Sequence, residues 1–491
     1  MATTTDSFRL LPPKVYYVAV SLLVLLIIST FPGRVLHFDD AWNAEQAYWL
    51  WQDGYVHSNF FGGAFAAPQA PGEQLFLYHK AFIYAQAPVA GLLGFGVYAV
   101  KATALLFALL TLGLLLSYFS RATAEARWLA AFLFLGCGTV LEYCFVNRAE
   151  TMVMAGGLAS FMLLRASRPR PALAGAVAGL AALAHLNGTV YLVAGALWLL
   201  WQRAGWPSLL RFAAAGTAVC SLYLLDALMA GQLPRLLAQF TQAPINQGNL
   251  HGAQKLRIML DYPQIFLHSE SQICLTLLLV AALLLARPTR RSGQNAALKY
   301  LLLLLLGFWV LTARPAAYYF LLFVPFIVIV VVELSLAAAP QWRRPTRLAW
   351  VVLLLLYPAG SVVRAAYLWA ARPPEPVAAR NARLAAYMPR HGSRAVVPLD
   401  FFFEQARHYQ ARSLTYYALL NDAQYGGQLP LRQFFQMLAQ DSVQYLVTDH
   451  TRNQAFHVPA DAPPRIGQYR RVYQTPQNSV YVRQPEPPLP H

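Results

Sequence analysis

Long apolar runs, separated by short basic or polar connections, dominate the first three quarters of the chain. A run of about 20 apolar residues is enough for a helix that crosses a bilayer. We predict spanning helices over 15–31, 98–119, 128–146, 150–165, 172–186, 188–202, 209–229, 272–286, 297–312, 317–339 and 346–369. The pattern therefore predicts a polytopic α-helical membrane protein with about eleven spans.

The apolar run 74–95 decides the predicted topology. It contains His79, Lys80, Gln86 and Pro88, which are unfavourable in hydrocarbon. If this run stays at the interface, every later basic cluster falls on the cytoplasmic side, as the positive-inside rule requires. The clusters are Arg121/Arg127, Arg165/Arg168/Arg170, Arg203/Arg211, Arg287/Arg290/Arg291/Lys299 and Arg343/Arg344/Arg347. We therefore predict that 34–97 is one long external segment with interfacial helices.

The charges also orient the two ends of the chain. Arg9 and Lys14 precede the first apolar run and predict a cytoplasmic N-terminus. That run lacks a small-x-small cleavage site, so we interpret it as a retained span and not as a signal peptide. With about eleven spans, the C-terminus is expected outside the membrane.

The character of the chain changes near Arg372. The stretch 372–376 is proline-rich and polar, and short strand-like and helical runs follow it. We predict strands at 395–399, 445–448, 469–473 and 479–483, with helices at 377–388 and 430–439. The division is a membrane domain over 1–371 and a small soluble α/β domain over 372–491, of ordinary domain size.

Composition agrees with a membrane protein and narrows the choice of partners. The 491 residues are 57% hydrophobic and only 12% charged. The net charge of +17 comes largely from the clusters between apolar runs, so it does not indicate a nucleic-acid partner. The four cysteines form no Cys-x-x-Cys motif, and no ligand spacing predicts a metal. We predict no cofactor.

The candidate chemistry centres on 37–54, directly after the first apolar run. Asp39 and Asp40 open a segment whose aromatic residues recur at helical spacing, typical of a membrane–water boundary. An acidic pair at that boundary predicts a catalytic site at the mouth of a cavity. The structural alternative is that the two acids only cap a helix.

Other polar residues at predicted external corners are candidates for substrate binding. They are Glu73, Arg148, Glu150, Lys255, Arg257, Arg314, Tyr318 and Tyr319. Each has a structural alternative. Arg148 and Glu150 could simply lie at helix ends at the interface. Lys255 and Arg257 could lie on a solvated loop face, and Tyr318 and Tyr319 could belong to the aromatic belt of the membrane. His185 suits a hydrogen-bonded core position as well as a site.

Transfer of a group from an anionic lipid carrier fits this set of residues. Arg314, Lys255 and Arg257 are expected to neutralise a polyprenyl phosphate. Asp39 is expected to accept the proton of an acceptor hydroxyl that attacks the anomeric carbon. The chain has no Walker A motif and no Rossmann glycine fingerprint, so the sequence gives no support for a nucleotide-driven reaction.

Several of these motifs resemble those of the GT-C glycosyltransferases, in the branch of protein O-mannosyltransferases and lipid A aminoarabinose transferases (glycosyltransferase family 39). Phe38-Asp39-Asp40-Ala41 is similar to the family's acidic signature in the first external loop, whose first acid is taken as catalytic. Arg148-Ala149-Glu150 is similar to its Arg-x-acid corner, and Arg314 with Tyr318-Tyr319 to its late Arg–Tyr motif. Phe95-Gly96 with Lys101 resembles its Phe-Gly and downstream basic residue.

The resemblance implies a polyprenyl-phosphate sugar donor carrying a hexose or pentose, an inverting transfer and a site on the external face of a bacterial inner membrane. The acceptor would be a hydroxyl of a lipid, a glycan or a protein, as in lipid A modification or protein glycosylation. Two motifs depart from the family. Pro71-Gly72-Glu73-Gln74 stands where an acid-Lys-Pro-Pro element is frequent, and His185-Leu186-Asn187-Gly188 where the family has Lys-Gly.

Two other functions stay open at this point. A flippase or transporter of lipid-linked glycans would share the apolar spans and the polar outer corners, although the chain shows no inverted repeat. A non-catalytic assembly subunit would use the C-terminal domain to bind a partner. Transfer activity of an Asp39→Asn variant separates both from an enzyme.

Overall fold

The computed structural model describes residues 10–61, 73–242, 260–286, 296–312, 316–405, 407–450 and 455–484, together with Leu256. Up to Ala370, the described part of the chain is a bundle of helices. They are α1 Pro13–Thr30, α2 Phe38–Asp53, α3 Lys80–Leu93, α4 Val97–Tyr118, α5 Ala124–Leu135, α6 Gly138–Tyr143, α7 Glu150–Arg165, α8 Pro171–Ala184, α9 Thr189–Trp201, α10 Trp206–Ser221, α11 Leu225–Met229, α12 Leu233–Gln242, α13 Pro263–Leu267, α14 Glu270–Leu285, α15 Ala296–Leu311, α16 Val324–Ala338, α17 Arg344–Leu356 and α18 Ala359–Ala370.

Within the described residues, four helical stretches are long and apolar enough to cross a membrane. They are Val97–Tyr118, Trp206–Met229, Val324–Gln341 and Arg344–Ala370. Shorter apolar helices occupy Lys14–Thr30, Pro171–Ala184, Leu186–Trp201, Glu270–Leu285 and Ala296–Leu311. The chain thus has the helices of a membrane protein, whereas the number of eleven spans stays a prediction.

The predicted span 128–146 is two helices, α5 and α6, with a break between Gly136 and Cys137. A break leaves backbone carbonyls without helical donors, which is costly away from water. Tyr357 donates to the carbonyl of Leu133 at 2.5 Å, and Ser361 donates to that of Gly136 at 2.7 Å. Both donors belong to the α17–α18 segment, so tertiary contacts make the break possible.

The ambiguous run 74–95 forms α3, a helix of 14 residues. At about 1.5 Å per residue it is roughly 21 Å long, short of a hydrocarbon core of about 30 Å. Lys80, in its first turn, forms a buried ion pair with Asp226 of α11. The helix by itself is shorter than that core, and the interfacial assignment of 74–95 stays a prediction.

Helix α16 lies at the centre of the bundle. Every residue from Val324 to Val332 is buried, and this part of the helix is apolar on all sides. A helix without a polar face is typical of a position surrounded by other helices. Phe326 packs against Phe161, Tyr191 and Tyr300 from three neighbouring helices. This core fixes the ends of those helices, where the polar corners lie.

After Ala370 the chain forms a mixed sheet with helices. The strands are β1 Arg394–Val397, β2 Gln410–Ser413, β3 Tyr445–Val447, β4 Arg465–Ile466, β5 Tyr469–Gln474 and β6 Ser479–Arg483, and the helices are α19 Val377–Ala385, α20 Phe401–Gln405, α21 Leu414–Tyr425 and α22 Leu431–Gln440. The strand order is β2-β1-β3-β6-β5-β4. The first three strands are parallel, and the other pairings are antiparallel.

The small C-terminal sheet was predicted, and four of its strands lie within a residue or two of their predicted positions. The prediction missed β2 and β4, together with helices α20 and α21. Strand β4 has two residues, and β2 lies at the edge of the sheet with a mixed pattern of exposure. Such short or one-sided strands carry a weak periodic signal.

The segment after α2 connects the helical part to this sheet. Ser413 at the end of β2 donates its backbone N–H to the carbonyl of Phe60 at 2.7 Å. The Phe60 and Phe402 rings lie 5.3 Å apart, in a core shared by α2, the segment and the helices of the sheet. The C-terminal unit is thus packed against α2, which carries the acidic pair, and against the segment that follows it.

Candidate active site

The start of α2 positions the two acids. His37 is the N-cap, and its Nδ1 accepts from the backbone N–H of Asp39 at 3.2 Å. In the opposite direction, Oδ2 of Asp40 accepts from the backbone N–H of His37 at 2.8 Å. This is a reciprocal capping box, and acids in a first helical turn also interact favourably with the helix dipole. Capping therefore accounts for part of what Asp40 does.

Asp40 is fully enclosed. Its Oδ1 accepts from the backbone N–H of Asn147 at 2.7 Å, and its Oδ2 lies 3.0 Å from Nζ of Lys101. The residue has no exposed surface. Removing either member of a buried carboxylate–ammonium pair would leave the other charge buried and unpaired, so the pair holds both side chains in place. This geometry suits a group that holds α2, α4 and the 147–150 corner together.

Asp39 lies beside it in a different environment. Its side chain keeps 22% of its surface exposed and forms an ion pair with Arg148. Nδ1 of His37 lies 3.1 Å from its Oδ2. Burial is the largest single influence on the pKa of Asp39 and raises it, but the Arg148 guanidinium together with His37 and His79 outweighs burial and holds that pKa below its ordinary range. Asp39 is therefore an ionised, reachable carboxylate.

Arg148 is held on three sides. Its Nε and Nη2 donate to the two oxygens of Glu150 at 3.1 and 2.7 Å, a bidentate pair. Its guanidinium carbon lies 3.6 Å from the centre of the Tyr318 ring. Stacking on an aromatic face and a planar carboxylate fork are arrangements that lysine does not reproduce. The group Asp39, Arg148 and Glu150 carries a net charge of −1.

Two histidines border this group. Their rings, His79 and His185, are stacked with centres 4.6 Å apart. Nδ1 of His185 accepts from the backbone N–H of Asn187 at 3.0 Å, so the neutral ring carries its proton on Nε2, which lies 3.9 Å from Glu150. Burial and the adjacent His185 lower the pKa of His79 to about 3. His79 is therefore neutral at physiological pH.

Asn147 ties the corner to its neighbours. Its carbonyl accepts from Asn43 of α2 at 2.7 Å, and its Oδ1 accepts from Gln86 of α3 at 2.5 Å. Its Nδ2 donates to the carbonyl of Asp40 at 3.2 Å. These hydrogen bonds hold the backbone next to Arg148 in one position. A catalytic or binding site requires side chains that are fixed in this way.

The structure brings together five of the predicted site residues. Asp39, Glu150 and Tyr318 all contact Arg148, and the Tyr319 ring packs edge-to-face against Tyr318 with ring centres 4.6 Å apart. Asp40 lies next to them but faces Lys101 and Asn147.

The other predicted residues lie elsewhere. Glu73 forms an ion pair with Arg235 of α12 and is not among the described contacts of the Asp39 group. Lys255, Arg257 and Arg314 lie outside the described residues.

Sequence reasoning groups Asn147 with Arg148 and Glu150 at one predicted external corner, but it gives no site role to His37, His79 or Lys101. Lys101 appeared in a motif of the resemblance, and a lysine within an apolar helix is itself a signal for a buried acidic partner. His37 carried a signal too, since a polar residue just before an acid-rich first turn is a capping pattern. His79 gave no such signal, because its role depends on contacts between distant helices. Among the described residues, no group of three or more His, Cys, Asp or Glu side chains is arranged to hold a metal ion.

Comparison with known proteins identifies the architecture. No protein-family model and no curated protein matches the sequence. Solved structures do match. ArnT from Cupriavidus metallidurans aligns with a TM-score of 0.63 at 13% identity, covering 95% of this chain and 97% of ArnT. The chain has the GT-C fold. The likeness thus confirms the expected fold class, and at this identity it is evidence for the fold alone.

Other solved structures align with lower TM-scores. ArnT bound to undecaprenyl phosphate gives a TM-score of 0.62 at 12% identity, covering 96% of this chain and 98% of ArnT. The apo oligosaccharyltransferase of Archaeoglobus fulgidus gives 0.54 at 12% identity, covering 88% and 69% of the two chains. The mycobacterial arabinofuranosyltransferase AftD gives 0.53 at 19% identity, with 98% of this chain covered but only 40% of AftD. The ArnT alignments cover 95% and 96% of this chain, so the structural likeness includes the C-terminal sheet as well as the helices.

Proposed function

We propose that this protein is a membrane glycosyltransferase that moves a hexose or pentose from a polyprenyl-phosphate carrier to an acceptor hydroxyl on the external face. The observation that carries the proposal is the Asp39–Arg148–Glu150 group stacked on Tyr318. It combines a reachable carboxylate with a fixed guanidinium. The GT-C fold, and an ArnT structure bound to undecaprenyl phosphate, support a lipid-phosphate donor.

In the proposed reaction, the acceptor oxygen attacks the anomeric carbon while the bond from that carbon to the phosphate oxygen breaks. Asp39 takes the hydroxyl proton, and the carrier leaves as a phosphate with one additional negative charge. A single displacement inverts the anomeric configuration. Asp40 does not reach the acceptor and serves as a positioning residue through Lys101 and the 147–150 corner.

Arg148 has a proposed double role. While it pairs with Asp39, the pKa of that acid is low, and a carboxylate of low pKa is a weak base. An incoming donor phosphate competes for the guanidinium, which raises the basicity of Asp39 when the substrate is present. The same guanidinium then stabilises the charge that develops on the leaving phosphate. Lys255, Arg257, Arg314 and Glu73 are proposed as further contacts to donor or acceptor.

The test is transfer by purified full-length protein in lipid vesicles, supplied with a labelled polyprenyl-phosphate sugar and membrane extracts as acceptor. Asp39→Asn keeps the size of the side chain and removes the base, so transfer should fall by at least about 100-fold. Asp53→Asn is the matched control, because Asp53 lies on the same helix, contacts His57 and should leave transfer unchanged. Wild-type transfer by Asp39→Asn would exclude Asp39 as the base. Movement of labelled lipid between leaflets without any transfer would favour a flippase, and an assembly subunit would show neither.

A further inference from the structure

A cavity of about 710 Å³ lies between the helical part and the C-terminal sheet. Helix α2 and the adjoining residues Asn59 and Phe60 form one wall, and strand β2 with its flanking loops forms the other. Ligand pockets in proteins measure about 300–1,000 Å³. Of the α2 residues that line this cavity, Glu45 is the nearest in sequence to Asp39, and it lies more than one helical turn further along the helix. The cavity is therefore separate from the Asp39 group.

The walls are aromatic and polar. Tyr48, Trp49, Phe402, Tyr409 and Tyr417 contribute rings. Among the described residues that line the cavity there is no Leu, Ile or Met, the side chains that a pocket for an acyl or prenyl chain would need. Flat rings beside guanidinium and amide groups suit a ligand with apolar faces and many hydroxyls.

The acids in the wall are already engaged. Glu45 accepts from Ser58, Asn59, Phe60 and Trp49. Asp441 accepts from Arg412 and from the Tyr417 hydroxyl, both at 3.2 Å.

Two arginines of the cavity wall, Arg394 and Arg407, are not paired with a carboxylate among the described residues. Arg394 donates to the carbonyl of Asp441 at 2.8 Å, and Arg407 donates to His408 at 3.3 Å. Within the described part of the chain, neither Arg394 nor Arg407 forms an ion pair. The cavity therefore presents positive charge that an anionic ligand would balance.

An extended peptide fits this cavity poorly. β2 is the edge strand, where a peptide could add as a further strand. The edge is partly occupied, because the N–H of Ser413 already bonds to the carbonyl of Phe60.

We propose that this cavity binds an anionic saccharide, with its sugar rings against Tyr48 and Trp49 and its acidic group on Arg394 and Arg407. The claim that this saccharide is the acceptor rests on the proposed function. The claim that the cavity binds an anionic saccharide does not. A saccharide held here extends along α2 towards Asp39. The C-terminal sheet thereby acts in acceptor choice.

Binding is measured on the purified full chain in detergent by isothermal titration and saturation-transfer NMR, with tetragalacturonic acid as the probe. Maltotetraose is the neutral saccharide, and inorganic phosphate is the anion without a sugar. We expect tetragalacturonic acid to bind at least tenfold more tightly than either. Arg394→Ala/Arg407→Ala should weaken its binding at least tenfold. Arg470→Ala, an exposed arginine of the same sheet outside the cavity, should bind as the wild type does.

Several outcomes overturn the proposal. One is that maltotetraose or phosphate binds as tightly as tetragalacturonic acid. Another is that the double variant binds tetragalacturonic acid as the wild type does, or that Arg470→Ala loses as much binding as the double variant. If the double variant fails to fold, Arg407→Gln alone carries the test, since its side chain is exposed. Asp39→Asn should abolish transfer and leave binding unchanged, so failure of this site and failure of the proposed reaction give different results.

Discussion

Asp39 and Asp40 are neighbours in sequence with opposite surroundings. Asp40 is enclosed by the N–H of His37, the N–H of Asn147 and the ammonium of Lys101. Asp39 faces Arg148 and keeps part of its surface accessible. A base must reach its substrate, and a positioning group must not move. The proposed division of labour follows from these two environments.

The geometry around Arg148 predicts that a positive charge without the guanidinium group does not support transfer. Arg148→Lys keeps the positive charge but loses the bidentate contact to Glu150 and the stack on Tyr318. We expect at least a tenfold loss of transfer, measured per folded protein with a labelled donor. Arg165→Lys is the matched control, since Arg165 also stacks on a tyrosine, Tyr118, at the other end of the same helix. A loss equal in both variants would contradict a specific role for Arg148.

Glu45 is the second acid of α2 with an unusual environment. Its Oε1 accepts from the N–H groups of Asn59 and Phe60, both at 2.6 Å, and its Oε2 accepts from Ser58 at 2.7 Å. Burial raises the pKa of Glu45 to about 7 despite these donors. A protonated carboxyl keeps the same contacts, because its O–H donates to Ser58 while Oε1 goes on accepting. Protonation near neutral pH is therefore accommodated.

This predicts a pH dependence of stability. The pKa of Glu45 is higher in the folded state than in the unfolded state, so its contribution is complete below about pH 4.5 and is lost as the pH rises through 7. The loss is on the order of 3 kcal/mol at most. Apparent melting temperatures of the detergent-solubilised protein should fall between pH 5 and 8. Glu45→Gln, which imitates the protonated acid, should flatten that slope, and an unchanged slope would contradict the assignment. Glu45→Ala leaves two backbone N–H groups unpaired and should cost about 1–3 kcal/mol at any pH.

At the scale of elements, small residues set how closely the helices approach. A side chain at Gly175 of α8 would overlap the backbone carbonyl of Phe212 in α10, and one at Gly179 would overlap the carbonyl of Gly216. Backbone atoms cannot rotate away as a side chain can. Small residues four apart at a helix contact are a typical device of membrane helix packing. This contact supports the corner at His185, where α8 ends.

Two glycine substitutions should therefore have opposite effects. Gly175→Ala should destabilise the protein by about 1–3 kcal/mol, because it overpacks a contact made by backbone. Gly113→Ala, in α4, meets open space and should stabilise by about 0.5–1 kcal/mol through helix propensity. Thermal unfolding of the two variants in one detergent is the measurement. Destabilisation by both changes would show that any added methyl group disturbs the bundle.

At the scale of the whole molecule, charge is distributed unevenly along the helical part. The basic residues Arg121, Arg165, Arg203 and Arg343 lie at the ends of helices opposite to the corner that holds Arg148. The positive-inside rule therefore predicts that this end faces the cytoplasm and that the Asp39 group faces outward. The C-terminal sheet packs on the segment after α2, so it belongs to the same side as the proposed site.

This orientation is testable in intact cells with a membrane-impermeant maleimide. A cysteine at Val472, which is exposed on β5, should be labelled without lysis. A cysteine at Arg343, in a basic cluster, should be labelled only after the cells are opened. The four native cysteines are replaced by serine to remove background. The reverse labelling pattern would invert the topology and exclude an external site.

The fold class was predictable because its causes are local. Long apolar runs, basic connections and period-two strands each lie in a single stretch of sequence. The break between α5 and α6 was not predictable, since it depends on donors from Tyr357 and Ser361 more than 200 residues away. Strand β2 was missed for a related reason: it is short, and its place is fixed by pairing with β1 and by Phe60.

The sequence alone determined that Asp39, Arg148 and Glu150 carry the polar character of predicted outer corners, since charged residues between apolar runs are costly and conspicuous. Only the tertiary structure decided that Asp39 is reachable and Asp40 enclosed, and that His79 and His185 stack beside Glu150. The reason is physical. Burial and partner choice depend on which distant helices meet, and no local pattern encodes that.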